Sequence, residues 1–262
     1  MQEKPNYGID SPGIIVGLVL LGGVLLCVSA IWLCVGPFNP GRIALSGIGL
    51  LVGGYCLIGA GGMLWYSKVG KLRLREELLS KIPWTGHERV LDLGCGRGLL
   101  AVGAAKRLST GKAIGIDIWL RGALSGNGPE QVLENANREG VAGRVEAAKG
   151  DVRQLPFDEN TFDVILSNFV FHELPTREQR ERMVWEMVRV LKPRGRLAVV
   201  DFIFTAQLLK NLQEHEMVEV QRSRIGSLFG WIIAAILNFG LVRTYVVTGS
   251  KAAQFDVFLR LP

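Results

Sequence analysis

The sequence has few of the residues that build metal centres or disulfide frameworks. It contains only four cysteines and three histidines, and no two cysteines form a C-x-x-C pair. Zinc sites need such ligands in clusters, and small secreted scaffolds need paired cysteines. We therefore expect no metal site and a reducing compartment. The run 214–216, which places His215 between two glutamates, is a weak metal signal and more typical of a solvated helix face.

The chain also lacks a basic tract interleaved with aromatic residues, although its formal net charge is +6. Residues 1–66 contribute none of this excess, because Lys4 and Arg42 balance Glu3 and Asp10. The excess belongs to the rest of the chain and favours attraction to a membrane surface over binding of nucleic acid.

Charge is absent from two long stretches near the N-terminus. Residues 13–35 and 43–66 contain no charged side chain. Each run exceeds the ~20 residues that span a bilayer core, and residues 36–42 between them are too few for more than a tight turn. The sequence therefore predicts a transmembrane helical hairpin over residues 1–66, with helices at about 13–35 and 43–66.

The charges around the hairpin predict its orientation. Basic residues follow the second run closely, whereas the connecting turn carries only Arg42. Positive charge collects on the cytoplasmic side of membrane-spanning helices. We therefore expect an integral membrane protein whose C-terminal domain and both termini are cytoplasmic. The basic flank consists of Lys68, Lys71, Arg73 and Arg75.

Two other interpretations of the apolar runs stay open. Residues 28–30, Val-Ser-Ala, resemble a signal-peptide cleavage site, but residues 1–10 lack the net positive charge of a signal peptide. A buried hairpin of a soluble protein is the second alternative, although uncharged runs of this length are rare in soluble cores. The small-xxx-small spacing of Gly49 and Gly53 favours close helix contact and permits self-association into a homo-oligomer.

After the hairpin the pattern changes to charged and amphipathic segments. Leucines at helical spacing among basic residues predict a basic amphipathic linker helix within 67–82, at the membrane surface. Over residues 83–262, strand-like apolar runs alternate with helical segments, which predicts an α/β domain with a parallel sheet and helices on both faces. The predicted strands are 89–93, 113–117, 144–149, 162–167, 196–202, 243–248 and 255–261.

A glycine-dense turn follows the first predicted strand. In Val-Leu-Asp-Leu-Gly-Cys-Gly-Arg-Gly, residues 90–98, the glycines let a ligand lie close against the backbone, and Asp92 stands at the mouth of the strand. A lone turn of this kind also serves dinucleotide folds. Further acids stand near strand ends: Asp117 ends the second strand, Asp151 follows the third, and Asp163 opens the fourth.

As an ordered set, these motifs resemble the class I S-adenosylmethionine-dependent methyltransferases. The set comprises the glycine turn, Ile-Gly-Ile-Asp ending at Asp117, Gly-Asp-Val with the later Leu-Pro-Phe, Phe-Asp-Val-Ile-Leu-Ser, and Val-Leu-Lys-Pro-Arg-Gly. The similarity covers residues 88–202 and is greatest to the ubiquinone/menaquinone-type small-molecule branch. It implies a Rossmann-like, seven-stranded, mostly parallel sheet. The third glycine comes one residue too early for the G-x-G-x-x-G of an NAD fold.

The resemblance also implies the cofactor contacts. The turn glycines would line the methionine moiety, with Asp92 near its amino group. Asp117 would hold the ribose hydroxyls, and Asp151 would accept from the adenine amine. The full set of implied cofactor residues is Asp92, Gly94, Cys95, Gly96, Gly98, Asp117, Ile118, Trp119, Asp151, Val152 and Asn168.

The chain departs from the family pattern at two places. Arg194 replaces the usual glycine of a Lys-Pro-Gly-Gly turn, and we expect little consequence because it lies away from the cofactor. The loop 119–130 is longer than the family pattern implies, and it is either a lid over the cofactor or a passive insertion.

Residues after the fourth predicted strand are candidates for acceptor chemistry. His172 follows that strand where substrate should meet cofactor, so it is a candidate base or substrate contact, with Glu173 as a residue that orients it. The alternative is a histidine that only hydrogen-bonds its loop. The apolar segment 225–242 is either a core helix or a surface that rests on the bilayer or lines a substrate entrance.

Three functions fit these observations. The first is a membrane-anchored methyltransferase that acts on a small, lipophilic acceptor by in-line displacement. The second is a methyltransferase of a polar small molecule or protein, with the hairpin only for localisation. The third is a membrane scaffold that binds S-adenosylmethionine without turnover.

Overall fold

A computed structural model describes residues 3–35, 37, 39–120, 124–215, 217–226 and 244–253. The predicted strand 255–261, most of the apolar segment 225–242 and residues 121–123 of the long loop lie outside the described residues.

Two long apolar helices open the chain, close to the predicted bounds. They are α1 (Pro12–Cys34) and α2 (Pro40–Trp65), and both are long and apolar enough to cross a membrane. They pack against each other through small residues: a Cβ built on Gly53 would lie 2.9 Å from the carbonyl oxygen of Gly22. The close contact predicted from the glycine spacing is therefore made within the hairpin itself.

The linker helix differs from its prediction. A π-helical turn, Tyr66–Gly70, joins α2 directly to α3 (Lys71–Leu79). Leu74, Leu78 and Leu79 of α3 are buried in the core of the following domain. The apolar face of this amphipathic helix is therefore covered by the domain rather than free, while its position at the membrane surface stays a prediction.

The predicted seven-stranded, mostly parallel sheet is confirmed. Its order is β3-β2-β1-β4-β5-β7-β6, and β7 alone runs antiparallel to the other six strands. Leu93 lies opposite Ile116 on one side and Ser167 on the other, so the strand ends meet at one edge. The strands are β1 (Arg89–Leu93), β2 (Lys112–Asp117), β3 (Val145–Lys149), β4 (Phe162–Asn168), β5 (Leu191–Asp201), β6 (Met217–Arg224) and β7 (Tyr245–Lys251).

One strand was not predicted. β6 lies at the edge of the sheet and has a largely exposed, polar second half, so it has no continuous apolar run. Because β6 precedes β7, the predicted strand 243–248 corresponds to the seventh strand of the structure rather than the sixth.

Helices cover both faces of the sheet, as predicted. Alternate strand residues point to opposite faces: Val90 belongs to the core cluster that contains α3, α4 (Leu99–Ala105) and α5 (Pro129–Arg138), whereas Leu91 belongs to the other cluster. That second cluster contains α6 (Arg177–Val190) and α7 (Thr205–Glu214). His215 directly follows α7 and is not part of its exposed face.

Residues 3–10, here named the N-terminal strap, run from α1 across the α/β domain. Lys71 Nζ donates to the carbonyl oxygens of Tyr7 and Gly8 at 2.7 and 2.8 Å. The side-chain amide of Asn135 on α5 accepts from the Asn6 backbone amide at 2.7 Å and donates to the Asn6 carbonyl oxygen at 2.9 Å. The hairpin is therefore fixed to the domain at both of its ends, by the strap and by α3.

Candidate active site at the carboxyl edge of the sheet

A cavity of about 820 Å³ lies at the edge where the parallel strands end. Most residues predicted at the cofactor or the acceptor lie in its wall, whereas Asp92, Cys95, Gly98 and Trp119 do not. The predicted residues that line it are Gly94, Gly96, Asp117, Ile118, Asp151, Val152, Asn168, His172 and Glu173.

The glycine turn after β1 forms one wall as bare backbone. Gly94 and Gly96 have φ angles of 67° and 54°, in the left-handed region that favours glycine. A Cβ on Gly94 would lie 2.2 Å from Val170, so no larger residue fits there. The turn is held by the amides of Gly94 and Cys95, which both donate to the carbonyl oxygen of Ile116.

Asp117, at the end of β2, ties this turn to the next loop. Its Oδ2 accepts from the Gly96 amide at 2.8 Å, and its Oδ1 accepts from the Trp119 amide at 2.6 Å. Trp119 Nε1 donates back to the Gly96 carbonyl at 2.9 Å. Each carboxylate oxygen keeps further acceptor capacity, so Asp117 can organise the turn and still receive a hydroxyl from the cavity.

Asp151, just after β3, faces the cavity as an ionised group. Arg153 holds it from Nε at 2.9 Å and from Nη2 at 2.6 Å. These hydrogen bonds from Arg153 hold the pKa of the Asp151 carboxyl below its ordinary value. A ligand amine at this position would meet a carboxylate that is already charged and oriented.

Asp92 and Cys95 lie behind the glycine turn rather than in the cavity wall. Asp92 is buried, and its Oδ2 accepts from the Ala101 amide in the first turn of α4 at 2.8 Å. Burial raises the pKa of Asp92 to about 8, with a smaller contribution from the nearby Asp117. Burial also raises the pKa of the Cys95 thiol. Gly98 caps the N-terminus of the same helix.

His172 lies in a short 3₁₀ turn after β4, with its ring against Phe202. Its Nδ1 is 3.1 Å from Oδ1 of Asp201, the last residue of β5, which is fully buried. The structure therefore gives Asp201, and not Glu173, the contact that orients the ring. Sequence reasoning missed Asp201, although an acid at the end of a predicted strand was the signal used for Asp117.

Glu173 and Phe169 complete the wall around His172. Partial desolvation raises the pKa of Glu173. Phe169 has a φ of 58° and packs against His172 and Phe202 at ring-centroid distances of 6.4 and 5.7 Å. A non-glycine residue in this conformation costs free energy, and here it turns an aromatic ring toward the cavity.

The opposite wall comes from the hairpin and the strap, which sequence reasoning did not place at the site. These segments place apolar and aromatic side chains in the wall of the same cavity that the strand ends line. The lining residues from this part of the chain are Asp10, Ser11, Ile14, Gly62, Met63, Trp65, Tyr66, Gly70, Arg73 and Leu74. The signal for them was absent because contacts between distant segments leave no local pattern.

The loop between β2 and α5 also reaches the cavity. Leu120, Leu124 and Asn127 line it, and the Ser125 amide donates to the carbonyl oxygen of Ile9 in the strap at 3.1 Å. Within the described ranges, no group of three or more histidine, cysteine, aspartate or glutamate side chains could hold a metal ion.

Comparison with known proteins identifies the central part of the chain. Residues 90–195 match the family described as "Methyltransferase domain". The chain is 32% identical over 128 residues to demethylmenaquinone methyltransferase of Lactiplantibacillus plantarum, and this alignment covers 48% of this chain and 50% of that protein. It is 37% identical over 119 residues to a ubiquinone/menaquinone biosynthesis C-methyltransferase of Pseudomonas fluorescens, and this alignment covers 45% of this chain and 43% of that protein. The chain thus spans about half the length of these curated relatives.

Solved structures show the same fold. A SAM-dependent methyltransferase from Aquifex aeolicus has a TM-score of 0.53 and 21% identity, over 70% of this chain and 92% of that one. A protein described as a [4+2]-cyclase has a TM-score of 0.56 and 20% identity, over 70% and 82%. The expected fold is therefore confirmed, and residues 90–195 match a methyltransferase domain. The fold alone does not fix the activity, because a protein described as a cyclase shares it.

Proposed function

We propose that this chain, which carries a methyltransferase domain over residues 90–195, is a membrane-anchored enzyme that transfers a methyl group from S-adenosylmethionine to a small lipophilic acceptor. One observation carries the proposal: a single cavity runs from the glycine turn and Asp117 to Ile14 and Met63 of the apolar hairpin. The proposed site of methyl transfer and the two apolar helices would therefore share one cavity.

The residues of the strand ends fit the cofactor. The turn at Gly94 and Gly96 leaves room that a side chain would fill. Asp117 would take the ribose hydroxyls and Asp151 the adenine amine, with Ile118, Val152 and Asn168 beside them. Asp92, Cys95, Gly98 and Trp119 would support the turn from behind.

When bound, S-adenosylmethionine supplies a sulfonium methyl group, and the electron pair of the breaking bond stays on sulfur while the acceptor forms the new bond. The protein mainly orients the two reactants and excludes water. An acceptor that loses a proton needs a base within reach. With Nδ1–H donating to Asp201, the other ring nitrogen of His172 can take that proton.

Membrane anchoring is supported by the surface of the hairpin. Large apolar side chains face outward, with Leu20 at 64% and Leu51 at 76% exposure. Such a contiguous apolar surface is rare on soluble monomers, which argues against a buried soluble hairpin. Lys68 and Arg73 beside the hairpin are exposed, as expected for a flank that faces anionic lipid on the cytoplasmic side.

A lipophilic acceptor is supported by the relatives and by the cavity wall. Several relatives are named for quinone substrates, among them a 2-phytyl-1,4-beta-naphthoquinone methyltransferase of Arabidopsis thaliana. The wall on the hairpin side is apolar and aromatic, at Ile14, Met63 and Trp65. A polar acceptor would have to leave water for this surface without compensation.

Transfer of label tests the proposal. The full chain in vesicles made from the total lipid extract of its host is incubated with methyl-labelled S-adenosylmethionine, and label is counted in organic, aqueous and protein fractions. We expect an organic-soluble product. Label in the aqueous or protein fraction would favour a polar or protein acceptor, and calorimetric binding of cofactor without transfer would favour the scaffold. A matched reaction without the protein controls for spontaneous methylation.

A further inference from the structure

We infer that the hairpin is part of the acceptor site and that Tyr66, at its cytoplasmic end, hydrogen-bonds the head group of the acceptor. The ligand is an uncharged amphiphile with a hydroxyl or carbonyl oxygen in its head and an apolar tail. This inference rests on the proposed function and adds to it a subsite outside the methyltransferase domain.

The Tyr66 hydroxyl is a buried polar atom that points to a ligand. It has no hydrogen-bond partner among the described residues, and Tyr66 lines the cavity. A buried hydroxyl without a partner loses the free energy of its hydrogen bonds to water. Binding of a ligand with a polar oxygen at this position would restore that loss.

The local backbone holds Tyr66 in this place. Tyr66 begins the π-helical turn between α2 and α3, and such turns are frequent at functional sites. A Cβ on Gly70 would lie 2.7 Å from Cδ2 of Tyr66 and 3.1 Å from the Trp65 ring. Glycine at position 70 therefore makes room for both rings.

Tyr66 and the proposed base, His172, both pack against the ring of Phe169. The Tyr66 ring is 6.2 Å from that of Phe169, and the Phe169 ring is 6.4 Å from His172. An acceptor head between Tyr66 and His172 would rest on Phe169. The hydroxyl can donate or accept a hydrogen bond, so it can orient an oxygen near the methylated atom.

The charges of the wall favour an uncharged head. Four carboxylates line the cavity, and the arginines among its described lining residues are Arg73 and Arg153. Arg153 is paired with Asp151, and Lys71 is paired with Asp10. Asp117 and Glu173 then stand against Arg73, so an anionic head would meet a wall with one more acidic than basic group. The four acids are Asp10, Asp117, Asp151 and Glu173.

The tail has a path toward the bilayer. Ile14 on α1 and Met63 on α2 line the cavity, and Ile14 is 58% exposed on the outer surface of the hairpin. A chain that leaves the head at Tyr66 can pass these side chains into lipid without crossing water, since both surfaces are apolar.

The test compares Tyr66→Phe with Tyr55→Phe, a matched tyrosine of α2 that does not line the cavity. The full chain in vesicles of host lipid extract transfers label from S-adenosylmethionine, and the ratio of extract to carrier lipid is varied. For Tyr66→Phe we expect the half-saturating extract ratio to rise by about 5- to 10-fold, the effect of one lost hydrogen bond. Calorimetric affinity for S-adenosylmethionine should stay unchanged. Gly70→Ala, which displaces the Tyr66 ring, should raise the ratio in the same direction.

Each other outcome overturns the inference in a distinct way. If Tyr66→Phe saturates at the same extract ratio as the wild type, the proposed contact between Tyr66 and the head group is wrong, and the proposed function is unaffected. Equal effects of Tyr66→Phe and Tyr55→Phe would mean general damage to the hairpin, and a matching loss of cofactor affinity would place Tyr66 at the cofactor. If the wild type binds cofactor but labels no organic product, the proposed function itself fails, and the subsite with it.

Discussion

The Nδ1 atom of His172 lies 3.1 Å from Oδ1 of Asp201. Asp201 also accepts from the backbone amides of His172 and Phe202, at 3.1 and 2.7 Å. A buried carboxylate with these partners fixes the ring and holds a proton on Nδ1. Residues from the ends of β4 and β5 thus form one acid–histidine pair at the cavity wall.

Asp201→Asn should lower turnover by about 10- to 100-fold, because the neutral amide no longer stabilises the imidazolium that forms when His172 takes a proton. His172→Ala should lower turnover at least as much, and cofactor affinity should stay close to that of the wild type in both variants. Labelled-methyl transfer and calorimetry measure the two effects. Asp158→Asn, on an exposed loop, is the control, and full activity of His172→Ala would exclude it as the base.

Asp117→Ala should lower the affinity for S-adenosylmethionine by about 10- to 100-fold, since it removes charged hydrogen-bond acceptors. It also frees the amides of Gly96 and Trp119, which Asp117 holds. Titration calorimetry on the full chain in detergent measures the change. Asp163→Ala, an acid at the opposite end of the sheet, is the matched control. Unchanged cofactor binding by Asp117→Ala would remove the assignment of the ribose site.

The raised pKa of Asp92 predicts that the stability of the protein depends on pH. Its pKa is raised from 3.8 to about 8 by burial. Between these values the unfolded chain releases a proton that the folded chain keeps, so the free energy of unfolding falls as the pH rises through this range. Asp92→Asn has no such proton. In the absence of cofactor, the unfolding midpoint of Asp92→Asn should therefore fall less than that of the wild type between about pH 5 and pH 8, roughly the range in which Asp92 keeps its proton only in the folded chain. Parallel curves for the two proteins would contradict this.

Arg194 occupies the place of a family glycine with a φ of 64°, on an exposed part of β5. The left-handed conformation costs a non-glycine residue about 1–2 kcal/mol, and glycine would remove this cost. Glycine also gives the unfolded chain more conformational entropy, which destabilises the folded protein by about 0.5–1 kcal/mol. Arg194→Gly should therefore raise the free energy of unfolding by about 0.5–1 kcal/mol. Thermal unfolding measures it, and Arg196→Gly, in the extended part of the strand, should destabilise. A lower midpoint for Arg194→Gly would contradict the argument.

Local patterns in the sequence were sufficient for the glycine turn, Asp117, Asp151 and the helical hairpin. Each of these depends on residues that are close together in the chain and repeat a strand, turn or helix period. The same reasoning placed the ends of β1 to β4 and the helices that cover them, because parallel strands meet at one edge.

The remaining parts of the site depend on contacts between distant segments. Tyr66 meets Phe169 across the fold, and Asn6 bonds Asn135. Such pairs carry no period that a single sequence reveals. β6 was missed for another reason: as an edge strand with an exposed half it shows little apolar alternation.

The N-terminal strap can make its contacts with the domain only late in synthesis. It is made before the domain that it contacts, since Asn6 and Tyr7 bond to Asn135 and Glu139 at sequence separations of 129 and 132 residues. Chains emerge from the ribosome from the N-terminus onward, so α1 and α2 leave the ribosome long before α5 exists. The strap therefore makes these contacts only after α5 has formed, and its part of the cavity wall is completed after the domain against which it packs.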